Sequence, residues 1–90
     1  MRWSVPAGRA PTPVHAHAEY EQISTVLAGS IETEVGGEMF KLKAGDVCHI
    51  RRGVPHGRTR ALGDADAVVL DVFTPRREQY VASARREPGA

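Results

Sequence analysis

The sequence lacks several features that stabilise or target small proteins. Cys48 is the only cysteine among 90 residues, which excludes an internal disulfide. No apolar run near the N-terminus is long enough for a signal peptide, and none elsewhere is long enough for a membrane span. We therefore expect a cytoplasmic protein with no membrane partner.

Charge of one sign is also lacking. Twelve lysines and arginines balance 11 acidic residues, which leaves a net charge of +1. Arginine pairs occur at 51–52, 76–77 and 85–86, but acidic residues separate them, so the pattern does not favour a nucleic-acid surface. A chain of this length predicts one domain, residues 1–90, with a thin core, and its size favours a homodimer.

Glycine, proline and aspartate recur at short intervals, which is typical of an all-β sandwich or barrel. Strands are predicted over 3–7, 22–28, 30–35, 38–42, 47–50 and 67–73. Gly36-Gly37 predicts the tight turn of a hairpin, because glycine adopts the positive φ angles that such a turn requires. Residues 76–87 have the pattern of a short helix that follows Pro75, and the tail at 88–90 is expected to be disordered.

His15-Ala16-His17 is the most informative motif. On a strand, alternate side chains share a face, so we predict that both imidazoles point the same way from a strand of their own. Two imidazoles suit a divalent transition metal, and His56 with one amide or carboxylate oxygen completes a four-ligand shell. The alternative is a chance repeat of histidine on a solvated strand.

Two motifs resemble those of small single-domain cupins. The first comprises Gly8, His15-Ala16-His17, Gln22 and Gly29, and the second comprises Gly45-Asp46 and Gly53-Val54-Pro55-His56. This resemblance implies an all-β jelly-roll barrel, the cupin double-stranded β-helix, with the short helix packed outside. It also implies one divalent transition metal (Zn, Ni, Mn, Fe or Cu) held by His15, His17, Gln22 and His56.

The chain departs from the cupin motifs in ways that leave the ligands intact. One extra residue separates Gly8 from His15, and Arg51 and Arg60 replace a proline and an asparagine. The first motif also lies close to the start of the chain, whereas cupins usually have one or two earlier strands. Either the barrel is minimal or a second subunit completes it.

Glu21 and Gln22 compete for the fourth ligand position. Strand alternation favours Glu21, because it would share a face with apolar Ile23 and Leu27. The spacing to Gly29 in the cupin motif favours Gln22, which we choose. That choice predicts an apolar outer face on this strand, of the kind a dimer interface would cover.

A third segment, Asp71-Val72-Phe73-Thr74-Pro75-Arg76-Arg77, resembles the ending of the uronate-linearising cupins of pectin and alginate breakdown. In those proteins the ligands are also His, His, Gln and His, and the Asp, Phe and Arg of this ending line the substrate pocket. The resemblance implies that Asp71 transfers a proton, that Arg77 binds a substrate carboxylate and that Phe73 lines the pocket. The alternatives are an Asp71–Arg77 structural ion pair and a Phe73 that belongs to the core.

Our first hypothesis is therefore a metal-dependent isomerase or tautomerase that acts on a small carboxylate-bearing sugar or keto acid. A second is a cupin of other chemistry, either a dioxygenase or a polyketide cyclase. A third is a non-catalytic metal-binding or ligand-binding module. The same ligand set serves several metals, so the sequence does not name the metal.

Overall fold

The computed structural model describes residues 1–74, which form seven strands. They are β1 (Arg2–Val5), β2 (Glu21–Ala28), β3 (Ser30–Val35), β4 (Glu38–Lys43), β5 (Val47–Ile50), β6 (His56–Ala61) and β7 (Ala67–Thr74). The helix predicted over 76–87 and the tail predicted at 88–90 lie outside these residues. Within residues 1–74, no helix has the length and apolar character needed to cross a membrane.

Two antiparallel sheets face each other. One has four strands in the order β1-β7-β2-β5, and the other has three in the order β4-β3-β6. Buried side chains from both sheets form the core between them: Val5, Val26, Ile31, Ala61, Ala67 and Val69. The all-β class predicted from the sequence is confirmed.

The hairpin between β3 and β4 has the turn that the sequence predicts. Val35 lies opposite Glu38 in the strand register, so the loop consists of two residues. Both are glycines, Gly36 and Gly37, with φ angles of 59° and 85°. A side chain at either position would have to adopt the strained left-handed region.

Alternation along β2 decides which of its side chains enter the barrel. Gln22, Ser24 and Val26 are buried on the inner face. Ile23 lies on the outer face, opposite Val72 of β7. On that face Leu27 is 43% exposed and Val72 is 47% exposed, so the apolar outer surface that follows from an inward Gln22 is present.

The strand predicted around His15 and His17 is wrong. His15 makes a single isolated bridge with His56, and the segment before β2 forms no strand. Pro11 and Pro13 explain this difference, because neither has an N–H with which to extend a ladder. The predicted first strand over 3–7 instead ends at Val5, where Pro6 follows.

β6, His56–Ala61, is not among the strands predicted from the sequence. Its inner residues are small or polar, with Gly57, Thr59 and Ala61 buried, so the usual apolar alternation is absent. Arg58 and Arg60 point outward, where they pair with Glu34 and Glu32 of β3. β6 therefore places His56 at its first residue, inside the barrel.

Candidate metal centre

Backbone hydrogen bonds hold the two parts of the histidine set together. The N–H of His15 donates to the carbonyl of His56, and the N–H of His56 donates back to His15, each at 2.8 Å. The N–H of Gly53 donates to the carbonyl of His17, also at 2.8 Å. The segment that carries His15 and His17 is thus fixed to β6 and its preceding turn without being a strand.

Gly57 allows this close approach, although it is not among the site residues that the sequence predicts. A Cβ atom at this position would lie 2.3 Å from the carbonyl oxygen of Pro13 and 2.9 Å from the Cα of Val14. The φ angle of Gly57 is also positive, at 144°. A glycine directly after a candidate ligand is the signal in the sequence that points to such an approach.

The three imidazoles converge. Pairs of ring centroids among His15, His17 and His56 lie 4.4 to 5.2 Å apart. One nitrogen from each ring can be chosen so that the three nitrogens all lie within 4.8 Å of one another. Residues far apart in the sequence therefore form one cluster of metal-ligating groups.

Three buried polar atoms on the candidate ligands have no hydrogen-bond partner. They are Nε2 of His17, Nε2 of His56 and Oε1 of Gln22. Nδ1 of His56 lies 2.9 Å from the carbonyl oxygen of Val54, so it carries the proton and leaves Nε2 with a free lone pair. A buried acceptor without a donor costs about 1–3 kcal/mol, and a bound cation would satisfy all three. The residues present therefore fit a divalent metal.

The protonation state of His56 also suits metal binding. Burial lowers the pKa of its imidazole, and the neighbouring rings of His15 and His17 lower it further. The hydrogen bond to Val54 and the charge of Asp71 act in the opposite direction without reversing the shift. His56 is therefore neutral at neutral pH, which is the form that binds a metal.

A chain of hydrogen bonds connects Gln22 to Asp71. Nε2 of Gln22 donates to Oγ of Ser24 at 3.0 Å, and this hydroxyl donates to Oδ1 of Asp71 at 2.6 Å. Nε1 of Trp3 donates to Oδ2 of Asp71 at 2.8 Å. Asp71 is only 5% exposed, and these two donors make its burial tolerable. Neither Ser24 nor Trp3 is among the site residues predicted from the sequence, although Ser24 shares the face of Gln22 on β2.

Glu21 lies away from the cluster. Its side chain points to the outer face, where Oε2 is 3.2 Å from Nε2 of His49. Gln22 is 7% exposed on the inner face. Of the two residues that the sequence left in competition, Gln22 lines the same cavity as His15 and His56.

Phe73 lies beside the cluster, whereas Arg77 lies outside the described residues. The Phe73 ring packs edge-on against His17, with the centroids 5.4 Å apart, and the side chain is 41% exposed. This exposure places Phe73 at the margin of the barrel interior and not in the core. The predicted contact of Arg77 with a substrate stays a prediction, as does the alternative pairing of Arg77 with Asp71.

A cavity of about 200 Å³ lies between the sheets, next to the cluster. His15, Gln22, His56 and Asp71 contribute to its wall, as do the hydroxyl-bearing Thr33 and Thr59. Cys48 also reaches it, and burial raises the pKa of this thiol, which keeps it protonated at neutral pH. The barrel thus combines a histidine cluster, a buried carboxylate and a space for a small ligand.

The sequence profile of the cupin domain matches residues 1–73. The chain belongs to the cupin family. This finding confirms the resemblance on which the jelly-roll prediction rests. Of the three histidines, His56 is buried, His17 is half-buried and His15 is exposed.

Known cupins of several functions are similar to this chain. The pectin degradation protein KdgF of Dickeya dadantii is 34% identical over 74 residues, which cover 82% of this chain and 64% of that protein. The solved structure of KdgF from a Halomonas species is 30% identical with a TM-score of 0.71, and the match covers 88% of this chain and 69% of that one. The DMSP lyase DddQ of Ruegeria pomeroyi is 31% identical with a TM-score of 0.72, over 86% and 38% of the two chains. The chain thus spans slightly less than two thirds of the curated KdgF, and the fold serves more than one reaction.

Proposed function

We propose that this cupin is a metal-dependent isomerase or tautomerase that acts on a small carboxylate-bearing sugar or keto acid. The observation that carries the proposal is the pair of unpartnered buried atoms on Gln22 and His56, two residues that line the same cavity as Asp71. The unpartnered Nε2 of His17 belongs to the same histidine cluster. The similarity to a protein named for pectin degradation supports a sugar-derived acid as substrate.

His15, His17, Gln22 and His56 would hold the metal. When bound, the metal supplies a Lewis acid that polarises an oxygen of the substrate. Three neutral imidazoles and a neutral amide leave the charge of a divalent ion uncompensated, and this favours an anionic substrate. The small acidic partner predicted from the sequence follows from this charge.

Asp71 would move the proton. Its carboxylate accepts one hydrogen bond at each oxygen, from Ser24 and from Trp3. A carboxylate has about four lone-pair positions, so each oxygen keeps one for a substrate proton. The two donors fix the carboxylate against the cavity wall, which is the orientation that general acid–base catalysis requires. Phe73 would shield the reacting atoms from water, and Arg77 would bind the substrate carboxylate.

The Asp71→Asn variant tests this assignment. We expect it to lose turnover of an unsaturated uronate by a factor of about 10² or more, because an amide does not accept the substrate proton. Proton NMR of the substrate measures the conversion. Glu32→Gln is the matched control, since it makes the same change in a residue that pairs with Arg60 on the outer face. Full turnover by metal-loaded Asp71→Asn would contradict the assignment.

Metal analysis distinguishes this proposal from other cupin chemistry. Protein purified without a chelating column is analysed for bound metal and then assayed for oxygen uptake with candidate acids. Iron together with substrate-dependent uptake would favour a dioxygenase and contradict the isomerase. Ligand binding without conversion would favour a non-catalytic module.

The predicted homodimer is part of the same proposal. Leu27, Val47 and Val72 expose apolar surface on the outer face of the four-stranded sheet. A second copy of the chain is the occupant we propose for this face, because burial of that surface would add to a core made largely of valine and alanine.

A further inference from the structure

The hydrogen-bond chain that ends at Asp71 has a fixed direction. An ionised carboxylate only accepts hydrogen bonds, so the Ser24 hydroxyl has to donate its single proton to Oδ1 of Asp71. The oxygen of Ser24 then accepts, and its donor is the Nε2 amide of Gln22 at 3.0 Å. The remaining amide atom of Gln22 is Oε1, which is buried and has no partner.

The direction of these hydrogen bonds matters because a glutamine amide has two similar ends. Rotation by about 180° around its last bond exchanges an oxygen with a free lone pair for an NH₂ group that only donates. The first end binds a cation and the second repels it. A metal site that uses glutamine therefore needs a neighbour that distinguishes the two ends.

We propose that Asp71, acting through Ser24, holds the Gln22 amide with its oxygen toward His15, His17 and His56. This inference rests on the metal site proposed above and gives Ser24 and Asp71 a role as positioning residues for that site. Trp3 completes the arrangement. Its indole N–H only donates, so it requires an acceptor at Oδ2 of Asp71.

The proposal predicts that Asp71→Asn reverses the direction of the hydrogen bonds from Gln22 through Ser24 to residue 71. Trp3 would select the orientation in which the amide oxygen of the new side chain faces the indole, so its NH₂ group would face Ser24. Ser24 would then accept from this group and donate its own proton to Gln22. The Gln22 amide would turn, and an N–H group would face the histidines.

Zinc affinity, measured by competition with a chromophoric chelator, tests the proposal. We expect Ser24→Ala and Asp71→Asn to weaken Zn²⁺ binding by about 10- to 100-fold, the usual effect of losing a group that orients a ligand. Thr33→Val is the matched control, because it removes a buried cavity hydroxyl that bonds to Gly57 and Thr59 and not to a candidate ligand. It should leave the affinity within about twofold of the wild-type value, since it disturbs no ligand orientation. Thermal unfolding of the metal-free variants checks that each is folded.

The Gln22→Glu background separates orientation from charge. A carboxylate at this position accepts the proton of Ser24 on one oxygen and keeps the other for the metal. Reversing the hydrogen bonds therefore no longer turns a donor toward the metal. We therefore expect Asp71→Asn to cost no affinity in this background. An equal loss in both backgrounds would mean that Asp71 acts by its charge alone and would overturn the proposal.

Other outcomes are equally decisive. Wild-type affinity in a folded Ser24→Ala variant would also overturn the proposed orientation. If the wild-type protein binds no Zn²⁺, or if His56→Ala binds it as tightly as the wild type, the metal site itself fails. The two failures are therefore distinguishable.

Discussion

Gly57 is a single residue that shapes the candidate metal site without being a candidate ligand. Its missing side chain lets the Pro13–Val14 backbone approach β6 closely enough for His15 to pair with His56. We predict that Gly57→Ala lowers the free energy of unfolding by about 2–4 kcal/mol, because a Cβ there overlaps the Pro13 carbonyl. It should also weaken Zn²⁺ binding. Urea unfolding and chelator competition measure the two effects.

Gly63→Ala is the control for this prediction. Gly63 also has a positive φ angle, of 74°, but no atom lies within 4 Å of a Cβ built there. It should cost about 1–2 kcal/mol from backbone strain and leave Zn²⁺ affinity unchanged. Equal effects of the two substitutions on stability and on affinity would mean that the close approach at Gly57 does not matter.

The choice between Glu21 and Gln22 illustrates how far the sequence predicts the role of single residues. Alternation predicted the wrong residue because Ile23 and Leu27 are apolar and yet face outward. The spacing to Gly29 predicted the residue that lies inside. Ser24 and Trp3 were not predicted, because their role depends on β7, which brings Asp71 between them from the far end of the chain. No local pattern encodes that contact.

At the scale of structural elements, the segment at 12–17 is held by single residues and not by a ladder. Thr12 donates its N–H to the carbonyl of Thr59, and its Oγ1 accepts the N–H of Thr59 at 3.0 Å. The carbonyl of Thr12 accepts the N–H of Arg58 at 2.9 Å. Thr12 therefore anchors the start of the segment, and the backbone hydrogen bonds of His15 and His17 hold the rest.

We predict that Thr12→Val lowers the free energy of unfolding by about 1–2 kcal/mol, because the Thr59 amide loses its side-chain acceptor. The amide of Thr59 should also exchange faster with deuterium, which NMR measures. Thr25→Val, on the outward side of β2, is the control and should change stability by less than about 0.5 kcal/mol. An unchanged exchange rate at Thr59 would contradict the anchoring role.

The elements differ in how well the sequence predicts them. The β3–β4 hairpin follows from Gly36-Gly37, because the turn alone sets its register. β6 was missed because Gly57 and Thr59 replace the expected apolar residues, and their identity is set by the segment packed against them. The strand predicted around His15 failed for the related reason that prolines remove the donors a strand needs. The sequence therefore predicts elements with local causes better than elements shaped by their neighbours.

At the scale of the whole molecule, the buried imidazole of His56 links stability to pH. Its pKa is lower in the folded chain than the ordinary value of 6.5, so the unfolded chain binds a proton more readily. The free energy of unfolding of the metal-free protein should therefore be highest above pH 6.5 and fall as the pH drops below it. Urea unfolding in the presence of a chelator, from pH 8 to pH 5, measures this effect. His56→Gln should flatten the dependence, and a wild-type stability that rises toward pH 5 would contradict it.

The proposed homodimer is tested at the same scale. Val47 is 61% exposed on β5, and we predict that Val47→Lys shifts the protein from dimer to monomer, because a charge would be buried at the centre of the contact. Light scattering after size-exclusion chromatography measures the mass. Lys41→Glu, on the other sheet, is the control and should remain dimeric. A wild-type monomer at all concentrations would exclude this interface.

The backbone pair between His15 and His56 also has a topological consequence. These two residues close a loop that contains β2, β3, β4 and β5. An ion bound to both imidazoles would crosslink the two ends of that loop. It would reduce the conformational entropy of the unfolded chain, much as a disulfide does. In a chain with one cysteine, such a crosslink can be removed by a chelator instead of a reductant. Metal availability would then govern how long the folded molecule survives in the cell.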